Sequence, residues 1–226
     1  MINIGKEWNP KQALLRQYLT KSQNFNESIN LCLEMHILLH SSEMSNCKST
    51  TYFDILWNNL AESVFRLFVK KSGTSIAWNI WHLTRIEDIT ANILIANENQ
   101  VINNDWLKKI NTDIRDTGNS MTDDEIIKFN NEINIKQLYY YRIAVGIKTQ
   151  SIIKKLKSND LKRKMDKSQL VRIIDEGGVL EHEKSKWLID FWGKKNVSGI
   201  LLMPITRHQV VHLNDSLRIK EKNKEK

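Results

Sequence analysis

Long stretches of this chain carry no helix breaker. Only two prolines and eight glycines punctuate 226 residues, about half or less of the usual shares of ~5% and ~7%. A fold made of many tight turns is therefore excluded, and helices are the economical alternative. With 41% of residues hydrophobic and 27% charged, the chain has apolar material for a core and enough charge for water. No run of ~18 uninterrupted apolar residues occurs, and the opening Met1-Ile-Asn-Ile-Gly-Lys6 puts no hydrophobic stretch behind a basic end. The expectation is a cytoplasmic protein with neither membrane span nor signal peptide. Cys32 and Cys47 are too few for a disulfide framework and lack the spaced pairs of a zinc knuckle, so both are expected as reduced thiols.

The apolar spacing divides the chain into helices. From Asn26 to about Ser45, Ile29, Leu33, His36, Ile37 and His40 share one face of a first long helix; residues 1–25 ahead of it are expected to be an N-terminal extension. Short apolar periods cover 52–60 and 61–68, and Lys70-Lys71-Ser72-Gly73-Thr74 supplies a turn. Ser75 is the predicted N-cap of a second helix reaching about Asn99, with Trp78, His82, Ile86, Ile89 and Ile93 as its apolar stripe. Residues 103–121 are polar and read as a loop with one short helix near 106–114. Thr122-Asp-Asp-Glu125 fits a capping box that opens a short helix, and Asn134 begins a longer one whose period persists to Leu156. Residues 161–195 read as a connection with two small helices, broken at Glu176-Gly177-Gly178 and Gly193-Lys-Lys-Asn196. The last element spans 197–213, with Pro204 either starting it or kinking it, because proline lacks the amide donor. A basic tail covers 216–226. Four long amphipathic helices with long connections predict an all-α bundle over 26–215, whose core can hold a site made by facing side chains.

A formal net charge of +8 raises nucleic acid as a partner. Much of that charge is local, in Lys154, Lys155, Lys157, Lys162, Arg163, Lys164 and Lys167 and in the tail after Leu217. Neither run interleaves aromatics on which bases could stack. A solvated helix end and a frayed tail are the expected roles, and nucleic-acid binding is the disfavoured reading.

Six histidines carry the strongest chemical signal. His208 and His212 stand at i and i+4, one turn apart on one helix face, so their rings can converge on one ion at ~2.1 Å. His36 and His40 have the same spacing. His82 lies alone on an apolar stripe, where an unpaired imidazole costs ~1 to 3 kcal/mol. Hydrogen-bonded core histidines would satisfy the same spacings, and spacing does not select which rings meet. His182, between Glu181 and Glu183, is expected in solvent.

The stretch Ser75-Ile-Ala-Trp-Asn-Ile-Trp-His-Leu-Thr-Arg-Ile-Glu-Asp88 resembles the second-helix signature of the DinB-like superfamily, the damage-inducible and bacillithiol-transferase-type bundles. Leu202-Met-Pro-Ile-Thr-Arg-His-Gln-Val-Val-His212 resembles its last-helix His-x-x-x-His. The resemblance covers roughly 26–215 and implies a four-helix bundle, often a homodimer, that holds a divalent metal through one histidine of the second helix and two of the last. Carried over by residue, these ligands are His82, His208 and His212. Three neutral imidazoles with an open fourth position suit zinc or nickel, with manganese or iron as alternatives, and an open position is what a catalytic site keeps for water or thiolate. The implied triad leaves out His36 and His40, which are either supports hydrogen-bonded near the ligating rings or ordinary polar residues beside the core. Asp190, in the apolar run Leu188-Ile-Asp-Phe-Trp192, is a candidate acceptor for a ligating ring. Glu87 and Asp88 follow His82 by five and six positions, which turns them away from its face; pairing with Arg85 or another helix is expected. Trp78, Trp81, Trp187 and Trp192 read as core aromatics, some of which can wall the open side of the site.

By the same resemblance, relatives transfer low-molecular-weight thiols such as bacillithiol or mycothiol to electrophiles, or use such a thiol to isomerise a substrate. The expected function is a divalent-metal-dependent enzyme that activates a thiol or water, a thiol transferase or hydrolase. The competing expectation is a non-catalytic metal-binding bundle, a stress-response protein or scaffold. Abundant Asn, Lys and Ile fit an AT-rich bacterial genome.

Overall fold

Helix starts are written locally in this chain, and the capping residues take the positions their chemistry predicts. The hydroxyl of Ser75 accepts the amide of Trp78 at 2.9 Å, Thr122 and Glu125 form the reciprocal capping box, and the Asn134 side chain accepts the amide of Gln137 at 3.1 Å. Each satisfies an amide that the first helical turn leaves without a partner.

The computed structural model describes residues 4–223; the first three residues and Lys224, Glu225 and Lys226 of the basic tail lie outside the described residues. The α-helices are, in order, α1 (Ile4–Leu19), α2 (Phe25–Leu39), α3 (Ser42–Ser45), α4 (Tyr52–Trp57), α5 (Glu62–Arg66), α6 (Ile76–Asp88), α7 (Asn104–Ile110), α8 (Asp123–Glu132), α9 (Ile135–Lys155), α10 (Lys167–Asp175), α11 (Glu183–Gly193), α12 (Val197–Leu202) and α13 (His208–Lys222). Two π-helical segments interrupt them: Ile89–Ala96 continues α6, and Met203–Arg207 joins α12 to α13. The fold is all-helical; among the described residues β pairing is confined to isolated bridges at Val69 with Thr74 and Lys164 with Asn196.

Several helices depart from the periodic reading. The first long helix ends at Leu39, because His40 takes an extended backbone (φ −112, ψ 170) and the chain re-enters as α3 behind the cap Ser41. The run from Ile76 loses α geometry at Ile89 and stops at Asn97, which adopts a left-handed φ of 55. There the Thr90 hydroxyl and the Asn92 amide meet the carbonyls of Ile86 and Asp88, four residues back, so these acceptors stay satisfied where the ladder changes. Pro204 lies inside the last run rather than at its start. Near it, the carbonyls of Leu201 and Leu202 accept the Thr206 hydroxyl, and Leu202 also accepts the Gln12 amide; a proline in a helix forces this kind of rearrangement.

Both chain ends are more involved than their composition suggests. Helix α1 packs against α2, α12 and α13, and Ile4, Trp8 and Leu15 are fully buried in the common core. At the other end α13 runs on to Lys222, so the part of the tail expected to fray is helical to that point. The Lys220 ammonium donates to the carbonyls of Ile55 and Leu56 at 2.8 and 2.9 Å and to that of Asn58. These are the bare acceptors at the C-terminal end of α4, where a cation is favoured.

Helix α6 is the centre of the molecule. It packs on α13 and α9, while α2 packs on α9 and α13, closing a cycle of contacts. Every residue from 75 to 95 is buried. A helix buried all round is normally apolar, yet this one carries Asn79, His82, Thr84, Arg85, Glu87 and Asp88. Buried polar groups need partners, and those partners define the site.

Candidate metal centre and its cavity

Four side chains of α6 meet one short segment of backbone, residues 115–118. The indole of Trp78 donates to the carbonyl of Gly118 at 3.1 Å, His82 Nδ1 to Thr117 at 2.7 Å, the Trp81 indole to Asp116 at 3.1 Å and Arg85 Nε to Arg115 at 2.7 Å. Positions 78, 81, 82 and 85 share one helix face, so four successive carbonyls are zipped along it. The segment holds its own shape through the Asp116 carboxylate, which accepts the Gly118 amide at 2.7 Å. Gly118 has φ +76, and a Cβ there would stand 2.9 Å from the Trp78 indole nitrogen; glycine is required by both conformation and space.

This ladder fixes the chemistry of His82. A carbonyl only accepts, so Nδ1 carries the proton and Nε2 presents a lone pair. His212 is set the same way: its Nδ1 donates to Asn79 Oδ1 at 3.0 Å, and Asn79 is held in that orientation by donating to the Ser216 hydroxyl at 3.2 Å. His208 brings its Nε2 to 3.2 Å from His82 Nε2. On an ion with ~2.1 Å bonds, tetrahedral ligands stand about 3.4 Å apart, so the observed separation fits two lone pairs sharing a cation. The three residues offer nitrogens that all lie within 4.8 Å of one another, and no further His, Cys, Asp or Glu joins them among the described residues. The Trp78 ring stacks on His82 at 4.6 Å and 6°, which fixes the plane of that ring.

Burial keeps the rings neutral. It lowers His82 to about 4, against a smaller opposing effect of the Thr117 carbonyl. Burial and then the neighbouring His82 ring hold His208 and His212 well below their ordinary value, with His208 adding to the effect on His212. Neutral imidazole is the form that ligates metal.

The triad floors a cavity of about 360 Å³. Its walls include Trp187, Leu188, Phe191 and Trp192 from α11 and Met203 and Pro204 from the π segment, so α11, within the connection over 161–195, forms one wall of the site. Trp78, Trp81 and Trp192 are buried, as core aromatics should be, but Trp187 is 49% exposed at the rim.

The remaining candidates fall elsewhere. His36 and His40 make their hydrogen bonds to Glu87, not to the triad: His36 Nε2 donates to one carboxylate oxygen at 2.7 Å and His40 Nε2 to the other at 3.0 Å, with all three side chains fully buried. Glu87 thus finds its partners on another helix. Burial alone would raise its carboxyl, but the imidazoles of His40 and His36 override that and hold it well below the usual range. Burial lowers His40 to about 3, with Glu87 opposing and Arg142 reinforcing the shift. These three residues form a second group whose ligand atoms lie within 4.8 Å of one another, and no periodicity argument could have shown that His36 of α2 and His40 just past its end both turn toward Glu87. Asp88 pairs with Arg85 at 2.8 Å and also accepts the amides of Val101 and Ile102 and the Tyr141 hydroxyl. Asp190 is not an acceptor for the triad: it is exposed, because Leu188 and Trp192 take the inward face of α11. His182 is exposed and accepts the Lys184 amide at 3.1 Å as the cap of α11. Lys154, Lys155, Lys157, Lys162, Arg163, Lys164 and Lys167 are exposed. No helix among the described residues is long and apolar enough to cross a membrane. No protein-family model matches the chain, and no curated protein matches it.

Proposed function

We propose that this chain is a DinB-like four-helix-bundle protein, built on α2, α6, α9 and the α12–α13 run, in which His82, His208 and His212 hold a divalent metal for catalysis on a small molecule. The observation that carries this reading is the convergence of the three imidazoles, two of them with Nε2 freed by defined Nδ1 acceptors, on the floor of a cavity. The absence of a fourth protein ligand among the described residues favours catalysis over a purely structural ion, which would use one.

A bound divalent ion would supply Lewis acidity, bringing the pKa of a ligated water or thiol toward neutrality. The protein's own residues do the rest. Thr117 and Asn79 hold protons on the Nδ1 atoms of His82 and His212 and so keep their other nitrogens available. Trp78 fixes the His82 plane, and the apolar walls limit water around the reacting atom. Zinc and nickel suit three imidazoles best.

Elemental analysis of protein purified without an affinity tag or chelator tests this, beside a variant carrying His208→Ala and His212→Ala. Near-stoichiometric metal that vanishes in a still-helical variant is expected. No metal in the native protein, even after reconstitution with zinc, nickel, manganese and iron, would overturn the reading.

A further inference from the structure

The cavity above the triad is chemically one-sided. Among the described residues its lining contains no Asp, Glu, Lys or Arg. Apart from the imidazoles, the polar side chain in it is Asn119, whose carbonyl oxygen already accepts the Thr117 hydroxyl at 2.6 Å. Away from an ion on the triad, such walls offer no oppositely charged partner to a carboxylate, phosphate or ammonium group, and an unpaired charge pays heavily on leaving water. A ligand here keeps its charges outside or has none. Shape narrows the class further: about 360 Å³ lies at the small end of the ~300–1,000 Å³ range of small-molecule sites, space for one or two fused rings. Trp187 and Phe191 present aromatic surface suited to stacking a flat molecule, and the nearly fully buried Trp192 lines the cavity beside them. Trp187 is 49% exposed and packs edge-on to Phe191 with centroids 6.1 Å apart, forming the lip of the pocket.

We propose that the pocket takes an uncharged, flat aromatic molecule whose polar end is limited to the atom that reaches the imidazole floor; as a substrate class, this rests on the triad being the reacting centre. Low-molecular-weight thiols that carry carboxylates are then poor occupants of the cavity itself.

The test uses chelator-treated full-length protein near pH 7.5, titrated with naphthalene and with naphthalenesulfonate and followed by tryptophan fluorescence and calorimetry. Naphthalene should bind at least about tenfold more tightly, since the sulfonate must bring an unpaired charge into the site. Phe191→Ala and Trp187→Ala should each weaken naphthalene about fivefold or more through lost ring contacts. Met203→Lys should narrow or reverse the preference by giving the sulfonate a partner. If Met203→Lys loses its helical signal, the two aromatic variants decide the matter. Equal or tighter sulfonate binding by the native protein, no binding of either ligand, or naphthalene affinity that ignores both aromatic variants would overturn the proposal. The metal assay fails separately: a protein that holds metal through the triad but prefers the sulfonate loses the ligand class alone. One that binds naphthalene but no metal loses the enzyme reading and keeps the pocket.

Discussion

His82 gives its Nδ1 proton to the carbonyl of Thr117 across 2.7 Å, so a backbone segment far away in sequence decides which nitrogen of that ring is free. The residue that lets this segment lie flat on α6 is Gly118. Gly118→Ala should lower stability by about 1–3 kcal/mol, because alanine resists the left-handed conformation and its Cβ crowds Trp78. It should also reduce zinc affinity by about 10–100-fold, the usual effect of disturbing a partner of a ligating histidine. Urea unfolding and competition with a chromogenic chelator read the two effects. Lost stability with unchanged affinity would make the carbonyl ladder structural only.

Asn79 does for His212 what Thr117 does for His82, but with a side chain, so it can be removed. Asn79→Leu keeps the branched shape in a somewhat larger side chain and deletes the acceptor. Metal affinity should fall about 10–100-fold while far-UV circular dichroism is preserved. An unchanged dissociation constant would show that ring packing alone orients His212.

Glu87 is a fully buried carboxylate shared by His36 and His40. In Glu87→Gln the amide brings a donor toward rings that are themselves donating, leaving buried hydrogen-bonding groups unmatched. A loss of about 2–4 kcal/mol is expected from denaturant midpoints. Metal affinity at the triad should change by less than about threefold, because the His36 and His40 hydrogen bonds end at Glu87. A large affinity loss would instead make this group a support of the metal site.

What could be read in the sequence and what could not divides along a physical line. Ser75, Thr122 and Asn134 act within one helical turn, so their helix starts were legible. The spacing of His208 and His212 and the inward face of His82 were legible for the same reason, whereas their meeting rested on a resemblance. The 115–118 segment was not legible as a partner of α6, because its contribution is four backbone carbonyls, which leave no side-chain signature. Nor was the fate of Asp190: an apolar run suggested burial, but only one face of α11, that of Ser185, Leu188 and Trp192, points inward. The burial of α1 is not legible either, because besides the neighbouring α2 it packs on α12 and α13, which come from the opposite end of the chain.

Acid should destabilise the metal-free protein in a defined window. His40 and His82 are lowered to about 3 and about 4 by burial, against about 6.5 in an unfolded chain. Above pH 6.5 neither state is protonated and the neutral rings carry no penalty. As pH falls below 6.5 the unfolded chain takes up protons that the folded chain refuses, so stability drops until the folded values are reached. Between pH 7 and pH 5 each ring should remove about 2 kcal/mol. Urea midpoints measured at those two values, in the presence of chelator, check this; a midpoint that stays level would mean the rings accept protons while buried.

The π segment at Met203–Arg207 turns the metal site into a matter of counting. A π turn takes in one residue more than an α turn, and each residue of an α-helix accounts for about 100° of rotation. The extra residue sets the angle at which α13 leaves α12, and with it the direction in which His208 and His212 point. Deleting a single residue between Pro204 and His208 would remove no ligand and no wall of the cavity. It would swing both histidines about a quarter turn away from His82, dismantling the centre more completely than replacing any one of its side chains.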